Sequence, residues 1–145
     1  MDKTNELFVT RDIALKLKVI GFDEPCFAFF TSSGNLRYNL ILENDNPKLY
    51  SNSEINVLDY CSAPLWDQVI DWFIRIRNIH IEVELTDTTS EYCFEYCIVT
   101  SNDRDWNDED CTDSAKRHYD WGLKFDKRYD CLKAGVLKSI EIIKN

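Results

Sequence analysis

One stretch constrains this chain more than any other: Cys61 to Asn78, the longest clean helical pattern in the sequence. Leu65, Val69, Trp72, Phe73 and Ile76 recur at helical spacing, and Trp66 and Ile70 widen that apolar stripe. Ser62 is placed to cap the helix, with Pro64 in the first turn, where its missing N–H costs nothing. Asp67 lies early, and Arg75 and Arg77 lie late, as the helix dipole favours. Burying such a stripe contributes on the order of 10 kcal/mol gross, at about 1.5–3 kcal/mol per large side chain, before entropy is counted. The stretch therefore predicts a core helix on which the rest of the chain packs.

The segments around it alternate between two periods. Thr10 is the expected cap of a helix over 11–20, and Gly21 stops it, leaving Phe22 to fold back on the last turn. Residues 26–31 and 36–42 read as strands joined by a turn at Ser32-Ser33-Gly34-Asn35. In the second of these, Leu36, Tyr38, Leu40 and Leu42 share a face. Residues 80–85 and 92–100 form a second strand pair around a turn at 86–90. There Tyr92, Phe94, Tyr96 and Ile98 face one way, and Cys93, Glu95 and Cys97 the other. Residues 115–123 alternate like an edge strand. Asp126 is the expected cap of a last helix over 127–144, whose apolar face is Tyr129, Leu132, Val136, Ile140 and Ile143. Gly135 inside that helix costs up to about 1 kcal/mol against alanine and so marks close packing. The order α-β-β-α-β-β-(β)-α predicts a single α+β domain over 1–145, with about three main helices on an antiparallel sheet. Irregular segments fall at 43–59, with a short strand or turn at 55–58, and at 101–114.

A chain of 145 residues, 44% hydrophobic, suffices for one domain with a genuine core. Its net charge of −9 argues against direct nucleic-acid binding, which needs a basic surface for phosphate. The charge is uneven: residues 103–113 carry six acids and one base, whereas 114–145 carry eight bases and four acids. The polar start, Met1 to Glu6, predicts no signal peptide, and no apolar run approaches the roughly 20 residues of a membrane span. The six cysteines are accordingly expected as free thiols of a reducing compartment.

No constellation completes a catalytic or metal set. Asp103, Asp105, Asn107 and Glu109 match calcium-loop positions, but Asp108 stands where the turn glycine belongs and Ser114 where the bidentate glutamate belongs. Cys93 and Cys97 on one strand are about 13 Å apart, too far for one zinc. Either histidine, His80 or His118, can be paired with a cysteine on paper, without any supporting motif. Four isolated glycines offer no phosphate-cradling loop, and Asp67 with Asp71 reads as the wet face of a helix. The expectation is no enzymatic activity, no cofactor and no metal. Trp106, in an acidic loop with little local core to enter, is the candidate contact residue, with Tyr119 and Trp121 beyond it.

Three stretches carry a resemblance: Val9 to Phe27, with its Arg11-Asp12-Ile13-Ala14-Leu15-Lys16-Leu17 run; Ala63 to Phe73; and Tyr129 to Ile143. They resemble small uncharacterised proteins of tailed phages and prophages of gut Bacteroidetes, crAss-like phages among them. Residues 43–59 and 101–113 lie outside the resemblance, which carries no catalytic residues with it. It implies a phage-encoded protein working in the host cytoplasm or in the virion; the expectation is an accessory virion protein, assembled in the host cytoplasm, whose partners are other structural proteins of the capsid or portal region. The alternative is a free cytoplasmic protein acting on a host factor, such as an acidic DNA mimic.

Overall fold

The computed structural model describes residues 6–38, 42–43, 46–47, 49–55, 57–88, 91–101, 115–119 and 124–144. The fold is α+β: three helices with antiparallel sheets. The chain divides into two compact units, Met1–Trp72 and Phe73–Asn145.

The first unit opens with α1 (Arg11–Val19), which buries Ile13, Ala14 and Leu17. Thr10 has the extended backbone of a cap, but its hydroxyl donates to the Asp12 carboxylate instead of accepting from a helix N–H. The far end is closed by Gly21 at φ 94°. Gly21 N–H donates to Lys18 O at 3.2 Å and Phe22 N–H to Leu17 O at 2.9 Å, a paired closure that only a left-handed residue permits cheaply. Phe22 thereby turns inward, and its ring meets Trp72 edge-on at 5.3 Å.

The first sheet has the order β2-β1-β5, from β1 (Ala28–Phe30), β2 (Leu36–Tyr38) and β5 (Cys61–Ala63), all antiparallel. The expected turn joins β1 to β2, with Gly34 at φ 87°. The expected strand over 36–42 is shorter. Leu42 belongs instead to β3 (Leu42–Glu43), which pairs with β4 (Asn46–Pro47), and residues 39–41 lie outside the described residues.

Ser62 does not cap the central helix. It is the middle of β5, whose residues are all buried, and α1 lies against that strand. α2 (Trp66–Arg77) starts only after Pro64, because Cys61–Ala63 complete the open edge of β1. Gln68 covers the helix start in place of a serine: its Oε1 accepts from Leu65 N–H at 3.4 Å, and its Nε2 donates to Pro25 O at 2.6 Å. Trp66, Val69, Trp72 and Phe73 are buried as the stripe predicts, but Ile76 is 54% exposed.

The described part of segment 43–59 is tied to the first unit by hydrogen bonds. Tyr50 and Cys26 exchange two backbone hydrogen bonds, at 2.7 and 2.8 Å. Asn52 then bridges two strands of chain: its Nδ2 donates to Phe22 O at 2.6 Å, and its Oδ1 accepts from Ser62 N–H at 2.8 Å. Within 55–58, residues 57–58 lie in a bend and turn that ends at Asp59, which has φ 66°.

The second unit holds the sheet β6-β7-β8, from β6 (Ile79–Thr88), β7 (Glu91–Ser101) and β8 (Ala115–Tyr119). Of the turn expected at 86–90, Thr86 to Thr88 instead continue β6, with Thr88 paired to Glu91, and residues 89–90 lie outside the described residues. The expected edge strand is present over 115–119. α3 (Arg128–Lys144) covers β6 and β7. Its first bond runs from Cys131 N–H to Lys127 O, so Lys127 and not Asp126 occupies the cap position. Leu132, Val136 and Ile140 are buried as expected, whereas Tyr129 is 43% exposed and Cys131 fills the core in its stead. At Gly135 the helix approaches the sheet closely, as its glycine predicts. Ser139, buried one turn later, donates its hydroxyl back to Gly135 O at 2.9 Å.

Candidate protein-binding surface

The outer face of the first sheet carries a cluster that its sequence does not announce. Ala28 and Phe30 point into the core, so the intervening Phe29 points away from it, half-buried. Its ring lies 4.9 Å from that of Tyr50 and stacks on Tyr60 at 6.0 Å with an 18° interplanar angle. Phe27 beside it is 51% exposed. Across the sheet the register sets Arg37 on one side of Phe29 and Ser62 on the other. Arg37 is exposed; Ser62 is buried. The loop that brings Tyr60 here is fixed from α1, since Lys18 Nζ donates to Tyr60 O at 2.8 Å and Arg11 to Asp59 O at 3.2 Å.

Phenylalanine, tyrosine and arginine are among the residue types enriched at protein interfaces. The signal available in the sequence was weak. Phe27 and Phe29 alternate in the sequence, but Phe27 lies in a bend just before β1, Tyr50 and Tyr60 come from the segment expected to be irregular or its end, and only the fold brings those two to Phe29.

Of the sequence candidates, Tyr119 ends β8 and pairs in register with Cys97. Trp106 and Trp121 lie outside the described residues, as does the acidic loop over 102–113. The structure thus brings none of these three together within its described part.

The described thiols are buried. Cys26, Cys61, Cys93, Cys97 and Cys131 are all free and buried. Burial pushes the Cys26 thiol up to about 11, against the pull of Ser62 and Gln68, whose side chains would favour a thiolate. The Ser62 hydroxyl, itself buried, has no hydrogen-bond partner beside the neutral thiol. Burial also pushes Cys131 up to about 11 and raises Cys61. Such thiols stay protonated near neutral pH, and a protonated thiol is a poor nucleophile. Cys93 is held by Thr86, with Oγ1 and Sγ 3.0 Å apart. Among the described residues, no three His, Cys, Asp or Glu side chains gather as a metal set. Asp67 and Asp71 are both exposed on α2. No described helix is long and apolar enough to cross a membrane.

Compared with protein-family models, with curated proteins and with solved structures, the chain matches none.

Proposed function

We propose that this chain is a non-catalytic accessory protein of a tailed-phage virion that binds a structural protein of the capsid or portal region. The observation that carries the binding half of this reading is the outward Phe29, set between Tyr50 and Tyr60 with Phe27 and Arg37 exposed beside it. Rings already held by one another lose little side-chain freedom when a partner covers them. The phage half rests on the resemblance of residues 9–27, 63–73 and 129–143.

A second reading, a free phage protein that occupies a basic host factor, is favoured by a different observation. Glu82, Glu84 and Glu95 share one face of the second sheet in a chain of net charge −9. Mass spectrometry of gradient-purified, washed virions separates the two. Stoichiometric copies support the structural role. Absence from virions, with early expression and a host protein in pull-downs, supports the rival.

A further inference from the structure

β6 is ten residues long and lies at the edge of its sheet: β7 pairs with one side, and no described strand pairs with the other. An unpaired edge presents a row of N–H and C=O groups that an added strand can satisfy. Its two faces differ in chemistry. Ile81 faces α3, as its contact with the Gly135 position requires, and Val83 and Leu85 follow it on that face. Leu85 is 59% exposed. The other face presents Glu82 and Glu84, both exposed. Glu84 stands directly across from Glu95 on β7, a like-charge pair that costs stability.

We propose that the free edge of β6 takes up an extended segment of a partner protein in which lysine or arginine alternates with apolar residues. Such a segment, added beside β6, sets its basic side chains next to Glu82 and Glu84 and its apolar ones next to Val83 and Leu85. The basic side chains also relieve the Glu84–Glu95 repulsion. The same carboxylates guard the edge against a second copy of this chain, because pairing β6 with itself sets glutamates of one copy near those of the other. This inference rests on the part of the reading above that has the protein act by protein contacts. It holds whether the partner belongs to the virion or to the host.

The test uses the full chain and two capped seven-residue peptides, one alternating lysine with valine and the other glutamate with valine. Amide hydrogen exchange is followed residue by residue. The lysine peptide is expected to slow exchange more than tenfold at alternate amides within 79–88 and to bind less tightly as salt rises. The E82K/E84K double variant, changed only at exposed positions, is expected to bind it at least tenfold more weakly and to prefer the glutamate peptide. Equal binding of both peptides by the native chain overturns the proposal. So does saturation without protection in 79–88, self-association through β6, or no binding at about 1 mM peptide. Absence of the protein from virions would leave a positive result standing, and failure here would leave virion membership standing.

Discussion

A methyl group added at Gly135 would lie 2.9 Å from Cγ2 of Ile81, inside any ordinary carbon–carbon contact. The helix thus keeps a residue of poor helical propensity because α3 and β6 leave no room for a better one. Gly135→Ala gains up to about 1 kcal/mol of propensity and incurs about 1–3 kcal/mol of overpacking. The variant is expected to be less stable, by up to about 3 kcal/mol, in urea unfolding. In an Ile81→Ala background the clash is gone, and the same change is expected to stabilise by about 0.5–1 kcal/mol. A substitution that stabilises equally in both backgrounds would show that the approach is not tight.

Trp72 is 3% exposed and meets Phe22 edge-on at 5.3 Å. Trp72→Ala is expected to cost about 3–5 kcal/mol, as other large-to-small core changes do. Thermal melting checks this; a variant that melts with the parent would remove α2 from the core.

Asn52 satisfies two backbone groups at once, Phe22 O and Ser62 N–H. Asn52→Ala leaves both without that partner and is expected to cost about 2–6 kcal/mol, at about 1–3 kcal/mol per unsatisfied group. Asn52→Asp keeps the acceptor and, while protonated, one O–H donor, so it is expected to be the milder of the two near pH 4 and to worsen as its carboxylate ionises and loses that donor. Urea unfolding of both variants at pH 4 and pH 7 checks the order.

The Cys26 thiol, pushed up to about 11 by burial, makes stability depend on alkaline pH. In the unfolded chain the thiol loses its proton near its ordinary value of 9.0, so the unfolded state gains there first. The contribution is therefore whole below about pH 8 and lost as pH rises toward 11, by about 2–3 kcal/mol in all. Cys26→Ala is expected to flatten the fall in unfolding free energy between pH 8.5 and 10.5. An unchanged slope would contradict the burial argument.

How far the sequence could be read follows from the range of the interactions involved. Gly21, Gly34 and Gly135 were legible because each signal is local: a helix stop, a turn, and a cost inside a helix. Ser62 was misread because a capping residue and a strand residue share an extended backbone, and only the distant strand β1 decides between them. Ile76 fits the periodic stripe of α2, yet periodicity does not say where along a helix the core ends. Asn52 and the Tyr50–Phe29–Tyr60 cluster depend on pairings between residues distant in sequence, to which composition is blind. The site was therefore less legible than the fold. The tryptophan-centred patch rests on Trp106 and Trp121, which lie outside the described residues, whereas the aromatic face of the first unit exists only once its strands have paired.

The most direct measurement is the copy number of this protein in washed virions, for the native chain and for Phe27→Asp at its exposed aromatic face. The account predicts stoichiometric native copies. It also predicts at least a tenfold loss for the variant, which should fold normally because Phe27 is 51% exposed. Native protein absent from virions, or a variant incorporated as fully as the parent, would contradict it.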